Sequence, residues 1–314
     1  MLQLIPLMLI ISFFIFMVLS LTGNSLRSLV AGNPRITPEI IKKLERIYGM
    51  DKPLLARYFY WLKAFVMGQW GYSREYHDPV IQLIKSRLPV TLSLMGLSFL
   101  LSLIVSIPVG IYSALKQYSF LDYVATALAF FGMAMPIFWF GLMLMLLFGV
   151  KLGWLPIGGY SSVGMDTANF FMRSLDHLKY LILPAIALGL QGMASWTRYT
   201  RSSMLEVLRQ DYVRTARAKG LPERTVIYKH ALRNALIPVI TLLMLSIPML
   251  FGGAVLTETV FSMFGVGRLL YTAIINSDTF LAMGTLMVLA ILVVICNFGA
   301  DLLYAIADPR IRYS

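Results

Sequence analysis

The chain has 314 residues, of which 58% are hydrophobic and 13% are charged. Because a soluble globular protein carries about 25% charged residues, this composition excludes a mostly water-facing surface and indicates an integral membrane protein. The net charge of +12 does not indicate a nucleic-acid-binding protein, because the basic residues lie between apolar runs instead of along one exposed face.

Six charge-free apolar runs are long enough to cross a bilayer, which takes about 20 residues of helix. A backbone that faces lipid must satisfy its hydrogen bonds within the helix, and long charge-free runs differ from the alternating pattern of an outer-membrane barrel. The sequence therefore predicts an all-α integral membrane protein with six transmembrane helices. The six runs are Leu2–Leu21, Leu88–Leu115, Tyr123–Val150, Tyr180–Thr197, Asn234–Thr257 and Thr279–Ala300.

Residues 1–21 form the first predicted transmembrane helix. A cleaved signal peptide is the alternative, but the run has no basic stretch before it and no small-residue cleavage site before "TGNS" at residues 22–25. We therefore expect a permanent helix.

Residues 22–87 form a predicted extracytoplasmic helical segment. The stretch "TPEIIKKLERIYGM" (37–50) begins with Thr37 as a helix N-cap and Pro38 at the first helical position. Apolar residues recur at helical spacing there and in "KPLLARYFYWLKAFVMGQW" (52–70), which gives each helix one apolar face. Such helices either lie at the membrane interface or form a docking platform for another protein, and the sequence leaves both possibilities open.

The orientation follows from the distribution of Lys and Arg. Residues 198–233 carry nine Lys or Arg against three Asp or Glu, in a loop short enough for the positive-inside rule, so we predict that this loop is cytosolic. Counting helices outward places residues 22–87 and 151–179 outside and both termini inside. Residues 22–87 are also basic, but segments longer than about 60 residues largely escape the rule.

The third apolar run contains Pro136 and is rich in methionine and aromatic residues. Such residues fill gaps between packed helices, and a proline bends a helix, so packing is the favoured interpretation. The alternative is that the bend lines a transport path, where flexible methionines tolerate varied cargo.

The sequence lacks the G-x-x-x-x-G-K-[ST] phosphate loop, so we expect that the chain is not an enzyme and binds no cofactor. No Asp, Glu, Lys, Arg or His lies inside the six runs. An ion-driven carrier commonly has an ionisable residue within the membrane, so the residues favour transport that is driven by a partner. An ion-coupled carrier without ATPase subunits, and a membrane scaffold that transports nothing, are the alternatives.

The densest run of charge, "DYVRTARAKGLPERTVIYKHALRNALIP", covers residues 211–238. Residues 211–219 are typical of a short helix, which Gly220 ends by adopting positive φ. Pro222 is suited to the first turn of a second helix, and Glu223 complements the dipole of that helix. The ordered breaks predict a stiff hook that docks against another protein, with a solvated basic loop as the alternative.

This hook resembles the cytosolic EAA loop of a known family, the inner-membrane permease subunits of ATP-binding-cassette (ABC) importers for dipeptides, oligopeptides and nickel. The resemblance rests on "DYVRTARAKGL" followed by "HALRNALIP" and extends almost from end to end. Further similar motifs are "YGMDKPL" (48–54), "WGYS" (70–73), "RLPVTLSL" (87–94), "LGWLP" (152–156), "YLILPAIALG" (180–189), "FGVGRLL" (264–270) and "DLLYAIADPRIRY" (301–313).

The resemblance implies the type I ABC importer permease (MetI-like) fold, with residues 88–314 as the core permease domain and residues 198–233 as the coupling loop. It implies that a short coupling helix docks on a cytosolic ATPase subunit. The residues that fall on this docking surface are Tyr212, Thr215, Ala216, Lys219, Gly220 and Leu221. The sequence departs from the family pattern at several points. Arg214 stands where the broader motif has glutamate, "TGNS" replaces a "PGDP"-like turn, and "MF" (263–264) replaces the usual aromatic–proline pair.

The resemblance also implies partners and a location. The partners are a second, homologous permease subunit that forms a heterodimer, two cytosolic ABC ATPase subunits that bind ATP and Mg, an extracytoplasmic substrate-binding protein and membrane lipid, with no nucleic acid. The location is the inner (plasma) membrane of a bacterium or archaeon. Peptide is the first expected cargo, and nickel is the alternative within the same family.

Overall fold

The computed structural model describes residues 4–22 and 52–307. The predicted helix at residues 37–50 and the end of the predicted tail motif lie outside these residues. The described residues contain no β-strand. The α-helices, numbered in chain order, are α1 (Leu4–Thr22), α2 (Leu54–Val66), α3 (Val80–Leu115), α4 (Phe120–Ala134), α5 (Ile137–Leu144), α6 (Phe170–Leu208), α7 (Asp211–Ala218), α8 (Glu223–Thr225), α9 (Leu232–Val260), α10 (Val266–Ile275) and α11 (Thr279–Ala307).

Several helices are long and apolar enough to cross a membrane. Four do so as single helices within the described residues, and α4 and α5 together make a fifth if a bent pair counts as one span. An apolar helix at Pro6–Ser20, within α1, is shorter. The structure therefore supports a multi-pass helical membrane protein, while the number of six spans stays a prediction. The four single helices are Val80–Leu115, Phe170–Leu208, Glu223–Pro248 and Thr279–Gly299.

The third predicted run is broken at its proline. The axes of α4 and α5 differ in direction by 111°. Met135 and Pro136 adopt extended backbone, with ψ angles of 126° and 128°. Proline disfavours helical geometry in the residue before it and supplies no N–H to the helix, which explains why the break falls here. A π-helical stretch, Met145–Lys151, continues α5.

The chain divides into two compact units. The first unit comprises Met1–Thr91 and Phe264–Val294. In this first unit α2 packs on α1. The buried Tyr58 ring of α2 contacts the Phe16 ring of α1 edge-on, and the Tyr58 hydroxyl lies 2.7 Å from Ser12 Oγ. Part of the apolar face predicted for α2 is therefore covered by α1, while other apolar side chains of this helix stay exposed. The exposed ones include Leu55, Phe59 and Val66.

The second unit comprises Leu92–Met263 and Ile295–Ser314. Within it α6 packs against α4, α5 and α9. Small residues allow α3 and α6 to approach closely: a Cβ atom added to Gly110 would lie 2.6 Å from Thr200 Cβ, and one added to Gly189 would lie 2.6 Å from Ser102 Oγ. The long helix α6 thus forms the base from which the charged loop begins.

Candidate functional site

The charged loop begins where α6 ends at Leu208. Gln210 has extended backbone (φ −71°, ψ 148°) and precedes the first turn of α7. Asp211 lies in that first turn, where its negative charge complements the helix dipole. The predicted short helix is confirmed as α7, Asp211–Ala218, with Lys219 as its C-cap.

One face of α7 rests on an apolar cluster that we call the seat. Val213 is fully buried and Ala216 is 5% exposed. Both belong to a cluster with residues of α3, α6, the segment after α8, and α9. Burial of these small side chains orders the helix through apolar contacts. The other buried members of the seat are Ala114, Met204, Val226, Ala231 and Ala235.

The predicted glycine stop at the end of α7 is confirmed. Gly220 has a φ of +73°. Its N–H donates to the carbonyl of Arg217 at 2.9 Å, and the N–H of Leu221 donates to the carbonyl of Ala216 at 3.4 Å. These two bonds form a Schellman motif, which satisfies carbonyls that the helix end leaves unpaired and which favours glycine at the left-handed position.

A salt bridge spans the turn that follows. The Arg217 guanidinium donates to the Glu223 carboxylate, with an Nη2–Oε1 distance of 2.9 Å. This hydrogen bond, aided by the carboxylate charge, raises the pKa of Arg217. Both side chains are largely exposed, so the pair contributes at most about 1 kcal/mol to stability.

The chain leaves the turn through a helical segment of changing geometry. Pro222 precedes α8 as its N-cap, one position before the first turn in which it was predicted, and Glu223 is the first helical residue. Residues Val226–Ala231 are π-helical and lead directly into α9. The predicted second helix is therefore present, but its π geometry was not expected. Pro238 lies inside α9 and does not end it.

Five of the six predicted docking residues are exposed. Tyr212 is 42% exposed and Leu221 37%, and Thr215, Lys219 and Gly220 are also at the surface. The Tyr212 hydroxyl accepts a hydrogen bond from Asn234 Nδ2 at 2.9 Å, which holds its ring against the start of α9. Ala216 differs from the other five because its contacts are with the seat.

An ion pair close to the seat was not predicted from the sequence, in which Asp122 directly precedes the apolar run Tyr123–Val150. In the structure its carboxylate is buried and accepts two bonds from Arg201, Nε to Oδ1 at 2.7 Å and Nη2 to Oδ2 at 2.8 Å. The signal available in the sequence was opposite charge at the adjacent ends of two predicted spans, which does not specify a pairing.

A second buried carboxylate organises a loop of the first unit. Asp278 Oδ2 accepts hydrogen bonds from Ser73 Oγ at 2.6 Å and from the N–H groups of Arg74 and Glu75 at 2.7 and 3.2 Å. Its Oδ1 accepts from the N–H of Leu281 at 3.2 Å, at the start of α11. The serine of the "WGYS" motif, Ser73, thus donates a hydrogen bond that holds this loop to Asp278.

The chain matches two models of known protein families. Residues 106–313 match the model for binding-protein-dependent transport system inner membrane components, and residues 1–95 match the model for the N-terminal part of such components. The chain belongs to the family of binding-protein-dependent transport system inner membrane components. It is therefore a membrane permease component of an ABC transport system, and the family is not itself the ATPase of such systems.

Individual relatives share about two residues in five with this chain along nearly its whole length. It is 43% identical to the oligopeptide transport system permease protein AppB of Bacillus subtilis, over 98% of this chain and 96% of the relative. It is 41% identical to the dipeptide transport system permease protein DppB of Alkalihalophilus pseudofirmus, over 92% and 93%. It is 40% identical to the di/tripeptide transport system permease protein DppB of Pseudomonas aeruginosa, over 90% and 88%.

Proposed function

We propose that this chain forms part of the path by which an ABC importer carries peptides across the inner membrane, driven by ATP hydrolysis in partner subunits. The observation that carries the proposal is α7, a short capped helix that projects polar side chains outward from a seat within its own chain. The names of the relatives, which are permeases for oligopeptides, dipeptides and di/tripeptides, support peptide as the cargo.

We infer that the exposed side of α7 is the surface that a cytosolic ATPase subunit binds. Tyr212, Thr215 and Lys219 are spaced three and four residues apart, so they share one side of the helix. Gly220 and Leu221 extend this surface through the turn. Ala216 supports the surface from beneath, because it packs into the seat and holds the helix at a fixed position.

A helix that transmits force must resist moving against its own chain. The seat, the Schellman motif and the Arg217–Glu223 bridge each restrain α7, at the apolar face, the C-terminal end and the following turn. A pull on the exposed side is therefore passed to α3, α6 and α9, whose residues make up most of the seat. This rigidity is the physical basis for proposing α7 as the coupling element.

The proposed assembly contains one copy of this chain, a second homologous permease subunit, two ATPase subunits that hold ATP and Mg, and an extracytoplasmic substrate-binding protein. We propose six spans in the type I importer arrangement, with both termini and the loop at 198–233 in the cytosol of a bacterium or archaeon. The excess of Lys and Arg in that loop supports the orientation. A homodimer of this chain in native mass spectrometry, together with peptide uptake by that homodimer, would contradict the heterodimer.

The test of function is uptake into proteoliposomes that contain the chain copurified with its natural partner subunits and binding protein. We expect ATP-dependent accumulation of labelled alanine dipeptides to pentapeptides and no accumulation of radioactive nickel. Uptake of nickel without uptake of peptide would mean that nickel is the cargo, while the role as a permease would still hold. Peptide uptake by this chain alone, driven by an ion gradient, would contradict the dependence on ATPase subunits.

A further inference from the structure

The Asp122–Arg201 pair has features that stability alone does not explain. Asp122 is 2% exposed, and Arg201, whose side chain is 25% exposed, donates two parallel hydrogen bonds to it at 2.7 and 2.8 Å. Replacing a buried ion pair by apolar residues of similar volume is often neutral or stabilising, whereas removing one partner is costly. Such a pair is therefore better suited to holding two elements in one relative position than to adding stability.

The pair ties the α3–α4 turn to α6. Tyr118 lies in this turn with a φ of +64°, and its N–H donates to Asp122 Oδ2 at 2.9 Å. Ser119 caps α4 by accepting the N–H of Asp122 at 3.3 Å. The carboxylate of Asp122, in the first turn of α4, thus accepts hydrogen bonds both from the α3–α4 turn and from the Arg201 guanidinium of α6.

The same stretch of α6 and the end of α3 also support α7. Met204, three residues after Arg201, is fully buried in the seat beneath Val213 and Ala216. Ala114, at the end of α3, belongs to the same cluster. Arg201 and Met204 are therefore neighbours on α6, and Ala114 lies four residues before Tyr118 of the α3–α4 turn.

From this point α4 runs along α6 to the bend. A Cβ atom added to Gly132 would lie 3.2 Å from the Ala194 Cβ and from the Leu190 side chain, so α4 and α6 remain in close contact near the end of α4. The 111° change of direction to α5 follows directly. A displacement of α6 at the seat can therefore be transmitted through packed residues of α6 and α4 to the bend between α4 and α5.

We propose that Asp122 and Arg201 are a positioning pair that makes the α3–α4 turn and α4 follow the movement of α7. The inference rests on the proposed function, because it takes α7 as the element that the ATPase subunits move. Neither residue of the pair belongs to α7, and the hydrogen bonds described above join them to each other and to the α3–α4 turn. Loss of the pair should therefore uncouple ATP hydrolysis from uptake without releasing the ATPase subunits.

The experiment compares Asp122→Asn, Arg201→Gln, Arg201→Lys and the double variant Asp122→Asn/Arg201→Gln in the copurified complex. The readout is the ratio of labelled alanine peptide taken up to ATP hydrolysed, together with the amount of ATPase subunit that copurifies. The matched control is Arg198→Gln, because Arg198 lies on the same helix, is exposed and contacts the ring of Tyr199.

We expect Asp122→Asn and Arg201→Gln to lower this ratio by about tenfold. The first removes the charge that the Arg201 guanidinium binds, and the second leaves the buried Asp122 carboxylate without its charged partner. Arg201→Lys should lower it by about threefold, because lysine keeps the charge and loses the two-pronged geometry. The double variant should be no worse than the single variants, because each already removes the same link. All of these variants should retain the ATPase subunits, and Arg198→Gln should match the wild type.

Two outcomes would overturn the proposal. One is a wild-type ratio in both Asp122→Asn and Arg201→Lys. The other is a loss of assembled complex with an unchanged ratio in the complex that remains, which would make the pair purely structural. A wild-type complex that takes up no peptide would instead refute the proposed function, so the two failures are distinguishable.

Discussion

Two loops of the molecule are held in opposite ways. The loop at 71–79 folds around a buried carboxylate, Asp278, which binds a side chain and two backbone N–H groups. The loop at 209–231 keeps its own carboxylates, Asp211 and Glu223, at the surface and is held by apolar contacts beneath α7. The first loop is held by polar groups of its own chain, although the side chains of Glu75, His77 and Asp78 are exposed. The second leaves polar side chains available to a partner.

The difference indicates how a chain with few charged residues separates support from recognition. A buried carboxylate with several donors fixes a turn strongly but allows no exchange of partners. An apolar seat fixes a helix without using its polar side, so that side can bind another protein.

The largest effect is expected from Ala216→Glu, which introduces a carboxylate into the seat. An uncompensated buried charge costs about 3–5 kcal/mol, so the variant should lower the thermal stability of the complex and abolish peptide uptake. The matched control is Ala218→Glu, because Ala218 is exposed on the same helix. Thermal unfolding of both purified complexes checks this, and equal midpoints would mean that the seat does not hold α7.

The next effect tests the loop held by the carboxylate. Asp278→Asn weakens several hydrogen bonds to a charged acceptor, and we expect a loss of about 2–3 kcal/mol. The control is Asp211→Asn, whose side chain is 96% exposed and should shift stability by less than about 0.5 kcal/mol. Unfolding midpoints measure the difference. Similar shifts of the unfolding midpoint in the two variants would contradict the conclusion that a buried carboxylate holds only the first loop.

Gly220→Val should affect function more than it affects folding. The left-handed backbone strains a β-branched residue by about 1–3 kcal/mol, although no atom lies within 4 Å of the site of an added Cβ. We expect normal membrane insertion, reduced copurification of the ATPase subunits and reduced peptide uptake. The control is Gly220→Asn, because asparagine tolerates this conformation. Wild-type uptake by Gly220→Val would remove the turn from the coupling mechanism.

The smallest effect is expected from Arg217→Gln. The bridge to Glu223 is largely exposed, so its loss should cost no more than about 1 kcal/mol and less in high salt. Arg224→Gln, an exposed position in the same turn, is the control and should be neutral. Unfolding at low and high ionic strength measures both variants. A large loss for Arg217→Gln would mean that charge, and not the seat, holds this loop.

Much of the candidate site could be predicted because its signals are local. The helix at 211–218 lies in a short stretch typical of a helix, and the stop at Gly220 follows from the conformational freedom of glycine. The break at Pro136 follows from proline geometry. The face that Ala216 occupies could not be predicted in this way. Small residues suit both a docking surface and a buried contact, and only the neighbouring helices distinguish the two.

By itself, the sequence determined the membrane class, the positions of the long apolar helices and the turn after α7, since each depends on residues close together in the chain. The tertiary structure alone decided the 111° angle between α4 and α5, the seat beneath α7 and the pairing of Asp122 with Arg201. These features join residues that are far apart in the chain. Which side chains meet there depends on how whole helices pack, and a pattern of local spacing contains no record of that packing.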